Sequence, residues 1–147
     1  MIGQQVSGTV YGVILNDATS VRKIGALDGA PYKGAPKAPV LYIKPANTHA
    51  AAGVAVALPQ GAAGVEVAAT VGLVLGRPAA RLAAAAAMEH VAGLVLAADL
   101  SLPHASYYRP AIREKCFDAS LPMSPVLPLA DVQALTLVTE IDGQVVD

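Results

Sequence analysis

The segment GVEVAATVGLVLG, residues 64–76, is a strongly apolar run that holds a single carboxylate, Glu66. Its aliphatic and β-branched residues read as a strand. A fold containing such a strand must cover it, and the composition allows this. Of 147 residues, 54% are hydrophobic and 14% charged, so a sizeable core is available and disorder is excluded. The length suits one domain.

Charge removes several function classes. The net charge is −1, which gives no electrostatic case for a nucleic-acid partner or an anionic membrane surface. The single cysteine, Cys116, rules out an internal disulfide framework and a cysteine-rich zinc site. It fits a reducing, cytoplasmic setting. The opening MIGQQVSGTV has no basic region followed by an apolar stretch and does not read as a signal peptide. The most apolar region, residues 82–100, has Glu89 and His90 in its middle and reads as a helix followed by a buried strand, not a membrane span.

Strand signals dominate the rest. VSGTVYGVIL (6–15), PVLYIKP (39–45), GVAVALP (53–59) and GLVLAADLSLP (93–103) all read as strands. LTLVTEIDGQVVD (135–147) reads as a hairpin turning at Asp142-Gly143. RPAARLAAAAAMEHVA (77–92) predicts the main helix, with Pro78 in its first turn. Residues 16–38 read as a long irregular excursion of low local stability. Residues 104–125 read as loop with at most a helical turn. The expected class is α+β and β-rich, with a mixed sheet and one main helix.

Five blocks follow one another in order: YIKPANT (42–48), VLG (74–76), AMEHVAGLVLAADLS (87–101), YYRPAIREKCFD (107–118) and TEIDG (139–143). The most specific is SYYRPAIREKC with Asp99 sixteen residues before Lys115. Over nearly its whole length the chain resembles the fumarylacetoacetate hydrolase family, above all the N-terminal half or first subunit of its isomerase/decarboxylase branch. That resemblance implies a fumarylacetoacetate hydrolase-like roll and a site for Mg²⁺ or Mn²⁺ and an enol or 2-oxo dicarboxylate. Family domains continue past the TEIDG block, so residues 1–147 read as one domain incomplete at its C-terminus. The implied partners are further copies or a homologous second half or subunit.

The same resemblance places the metal ligands: a Glu-x-Glu on one strand and an Asp after the next helix and strand. Alternate strand residues share a face, so both glutamates would reach one cation. Counted from Gly76, their positions fall on Ala68 and Thr70. Glu66 shares that face but sits about 6.5–7 Å before the first ligand position, against metal–oxygen bonds of about 2.0–2.6 Å. It reads as a solvated residue near a strand start. Asp99 keeps the third position and reads as a weak metal ligand or a turn or capping aspartate. The expectation is weak binding of Mg²⁺ or Mn²⁺, or none.

Active family members also carry a His and, three residues later, a Glu shortly after an early Asn. Asn16 matches, but those positions hold Ser20 and Lys23. His90 reads as a packed or exposed helix residue, His104 as a loop residue, and His49 as a candidate pocket wall. The cations are retained. Lys115 and Arg109 are the candidate catalytic residues, able to hold a carboxylate or enolate, with a plain surface charge as the alternative. Arg113 reads as a surface charge. Lys44, Asn47, Tyr107 and Tyr108 are the candidate substrate-binding residues, with core packing the alternative for the tyrosines. The implied activity is that of a dienol dicarboxylate isomerase and decarboxylase of aromatic catabolism. The alternative is a catalytically degenerate half that pairs with a metal-bearing one.

Overall fold

The computed structural model describes residues 2–27, 29, 34, 36–104 and 111–146. Strands β1 (Val10–Ile14) and β2 (Val40–Lys44) form an antiparallel pair in which Gly12 lies opposite Tyr42 and Val10 opposite Lys44. The alternation of the sequence decides the faces. Tyr11, Val13, Leu41 and Ile43 point to solvent, while Tyr42 and Lys44 point inward.

A second, four-stranded sheet has the order β3-β6-β5-β4, built from β3 (His49–Ala51), β4 (Glu66–Leu75), β5 (Val91–Ser101) and β6 (Leu121–Met123). The β3–β6 pair is parallel and the other pairs antiparallel, so the sheet is mixed as expected. Strand β5 is buried over most of both faces, Leu96 being exposed, and its sequence is accordingly almost continuously apolar. A strap bonds back onto it through Leu94 N–H to Leu127 O at 3.0 Å and Leu127 N–H to Leu94 O at 2.7 Å. Gly93 permits that approach, since a Cβ there would collide with the Leu127 carbonyl. Val74, Val95, Ala97, Leu121, Met123 and Val126 form the core. Among the described residues no helix is long and apolar enough to cross a membrane.

Several expectations need correction. The main helix over 77–92 is absent; only Ala84–His90 winds, and as a 3₁₀ helix. Arg81 takes a positive φ of 54°, which breaks any helix begun at Pro78, and β5 begins at Val91. Residues 53–59 are not a strand. Gly53, at φ 86°, turns the chain away after β3, so the apolar alternation there finds no pairing partner. The loop over 104–125 contains a strand, β6, and a single helical turn, α2 (Ile112–Lys115). The excursion at 16–38 contains the seven-residue helix α1 (Ala18–Ile24), and residues 28, 30–33 and 35 of it lie outside the described residues. The C-terminal hairpin forms, as β7 (Glu140–Ile141) and β8 (Gln144–Val145), with both turn residues at positive φ.

Candidate active site

Strand β2 delivers Lys44 into the interior, where its side chain is 1% exposed. A buried ammonium must be compensated. Its Nζ lies within hydrogen-bonding distance of Leu100 O (2.9 Å), Lys115 O (2.6 Å), Ser120 O (3.1 Å) and Ser120 Oγ (3.2 Å), which share its three protons. Nζ also lies 2.7 Å from Asp99 Oδ1 and forms a buried ion pair with it. Lys44 thereby ties β5 to the segments around Lys115 and Ser120.

Asp99 stands inside β5, 4% exposed, so it is neither a turn nor a capping residue. Its second oxygen, Oδ2, faces Lys115 Nζ at 3.1 Å and accepts a hydrogen bond from the Tyr42 hydroxyl. Lys115 closes α2; its Nζ lies 4.7 Å from the centroid of the Tyr42 ring and its side chain is 18% exposed. Two ammoniums against one carboxylate leave the cluster net positive, with Lys115 as its accessible cation.

The charges shape one another. Burial raises the Asp99 carboxyl, but Lys44, Tyr42 and Lys115 outweigh it and hold the group below the usual carboxylate range. Burial, with the adjacent Asp99, pushes the Tyr42 phenol well above its ordinary value, so it stays protonated and donating. Burial draws Lys44 down, Asp99 opposing and Lys115 reinforcing.

The loop carrying Lys115 is pinned from below. Asn47 donates through Nδ2 to Cys116 O (3.0 Å) and Asp118 Oδ1 (2.8 Å), and its carbonyl accepts from Ala119 N–H (2.9 Å). His49 Nε2 meets Lys44 O at 3.2 Å, and its ring lines a cavity of about 170 Å³ with Gln5, Val6 and Met123, outside the Asp99 cluster. His104 Nδ1 meets Leu102 O at 3.0 Å. Arg113 is exposed. Arg109, Tyr107 and Tyr108 lie outside the described residues. The structure therefore unites Lys44, Asp99 and Lys115, and adds Tyr42, which the sequence reading omitted. A signal for it existed: Gly12 sits within a β-branched run, and an interior strand glycine marks a close approach.

Residues 9–147 match the fumarylacetoacetate (FAA) hydrolase C-terminal family. The chain belongs to the fumarylacetoacetate hydrolase family. It is 42% identical over 143 residues to the 4-hydroxyphenylacetate degradation bifunctional isomerase/decarboxylase of Salmonella dublin, and 40% to that of Escherichia coli. Those matches cover 97% of this chain but 33% of each relative. A 5-carboxymethyl-2-hydroxymuconate delta-isomerase from Mycobacterium smegmatis superposes with a TM-score of 0.79 at 27% identity, covering 98% of this chain and 55% of that one. A fumarylpyruvate hydrolase from Pseudomonas aeruginosa, solved with Mn²⁺ and pyruvate, has the same fold, with a TM-score of 0.76 at 23% identity over 96% of this chain and 63% of that one.

The residues that this family member presents do not fit a divalent cation. Ala68 pairs directly with Asp99 across β4 and β5, so a methyl group stands beside the carboxylate where the family resemblance places a glutamate. Thr70 pairs with Ala97 and Glu66 with Ser101, all on the Asp99 face, and both Thr70 and Glu66 are exposed. Asp99 itself is already held by two ammoniums and a phenol. Among the described residues no group of three His, Cys, Asp or Glu side chains converges.

Proposed function

We propose that this chain is a subunit or half of a cytoplasmic isomerase/decarboxylase of enol and 2-oxo dicarboxylates, and that Lys115 is its charge-stabilising group. The observation that carries this reading is the net positive Lys44–Asp99–Lys115 cluster with Lys115 at its open side. In isomerisation the enol proton leaves oxygen, the double bonds shift, and a proton is added at the far carbon of the diene. Negative charge gathers on the 2-oxygen, and an ammonium fixed beside it lowers the barrier. Lys44 is the scaffold beneath and Asn47 fixes the loop. In this reading Arg109 grips a substrate carboxylate, and Tyr107 and Tyr108 wall the pocket. With Ala68 opposite Asp99 and two ammoniums on the carboxylate, the donor set does not suit the metal-bound carbonyl that a decarboxylation would use as its electron sink.

The test is a UV assay of dienol-to-enone conversion. Lys115→Ala should lose about 100-fold or more in rate, as when one oxyanion donor is removed. Equal rates in variant and wild type would remove Lys115 from the mechanism.

The second reading is a degenerate half that completes a metal-bearing homologous partner. Ala68 facing Asp99 favours it. Adding a homologue with an intact Glu-x-Glu discriminates between the readings. Activity that appears only in the mixture supports the structural half, and activity of the chain alone supports the enzyme.

A further inference from the structure

Lys115 is the less buried cation of the cluster, yet a lysine side chain is long, flexible and costly to fix. One ion-pair contact at 3.1 Å to Asp99 leaves its ammonium free to pivot. Tyr42 supplies the second point of support. Its ring centroid lies 4.7 Å from Nζ, within cation–π range, and its hydroxyl is bonded to the same Asp99 oxygen that Lys115 uses. A phenylalanine would pack equally well but could not bond the carboxylate. The ring is seated by its neighbour across the hairpin. Gly12 pairs with Tyr42, and a Cβ on Gly12 would overlap the ring at Cζ, Cε1 and the hydroxyl. Glycine weakens a strand interior, and here it opens the space that lets the ring lie flat toward Asp99.

We propose that Tyr42 is a positioning residue for Lys115, with the ring carrying the ammonium and Gly12 admitting the ring. The proposal rests on the reading of Lys115 as the substrate-facing cation only for its use, and its test involves no substrate. Failure of the isomerase assay and failure of this inference are therefore separable.

The test is acetylation of the full chain with a limiting amount of N-hydroxysuccinimidyl acetate. Peptide mass spectrometry then compares Lys115 with the exposed Lys23 and Lys37. Tyr42→Leu removes the ring and should raise the Lys115 ratio about fivefold. Gly12→Ala, which changes no side chain of the cluster chemically but evicts the Tyr42 ring, should do the same and carries the test if leucine loosens the fold. Tyr42→Phe keeps the ring and should restore the ratio to within about twofold of wild type. Unchanged ratios in both Tyr42→Leu and Gly12→Ala, with native circular dichroism, would overturn the proposal. So would a Tyr42→Phe ratio as high as that of Tyr42→Leu, because general loosening and not ring support would then explain the effect.

Discussion

Lys44 and Lys115 carry the same charge and do different work because burial treats them differently. Lys44 is enclosed and holds four oxygens besides Asp99, so its removal leaves a buried carboxylate and several carbonyls short of a partner. Lys44→Met should cost about 3 kcal/mol in a urea titration, the range for breaking a buried pair from one side; a cost near zero would show that the ammonium is dispensable. The Asp99 carboxyl is held below its ordinary value, so folding favours its ionised form. That stabilisation is complete above about pH 4, the unfolded value, and is lost as pH falls through the folded value. The urea midpoint of the wild type should therefore fall more steeply below about pH 4 than that of Asp99→Asn. Parallel acid limbs would contradict it. Family blocks marked the positions of Lys44, Asp99 and Lys115, but as a substrate contact, a weak metal ligand and a catalytic cation; that Lys44 and Asp99 form a buried ion pair was not legible. Tyr42 was missed, although it alternates onto the same strand face as Lys44 and lies opposite the strand-interior Gly12, because a tyrosine beside a family block reads as ordinary packing.

At the scale of elements, the β4–β5 register makes the metal question geometric. Directly paired residues on one face have Cβ atoms about 4.5–5.5 Å apart, and Ala68 is the partner of Asp99. Ala68→Glu with Thr70→Glu should therefore create a Mn²⁺ site at least tenfold tighter than any in the wild type, measured by electron paramagnetic resonance. No gain in the double variant would mean that Lys44 and Lys115 already saturate Asp99. Strands with strong alternation or continuous apolar runs, β1, β2, β4 and β5, were readable as such. The hairpin at Asp142-Gly143 was readable from its turn residues. Strand β6 was hidden, because three residues around Pro122 carry no period and gain their partners only from β3 and β5. The alanine-rich segment misled for the opposite reason. Its helix propensity is high, but the short path from β4 into β5 overrides it.

For the whole molecule, much apolar surface stands open. Val67, Val71, Leu73 and Leu75 lie on the outer face of β4, and Leu96, Leu135 and Leu137 continue it. The chain spans a third of its bifunctional relatives, and a homologous second half or further copies would cover that face. Light scattering of the purified chain should show association, reduced by Leu73→Asp; a monodisperse monomer would argue against an obligate partner. The cationic site itself is tested most directly by titrating Mn²⁺ into the wild-type chain and following free Mn²⁺ by electron paramagnetic resonance. A cluster in which two ammoniums and a phenol occupy Asp99, beside Ala68, should show no site tighter than about millimolar. A micromolar site that disappears in Asp99→Asn would contradict it and would restore a metal-centred mechanism to this chain.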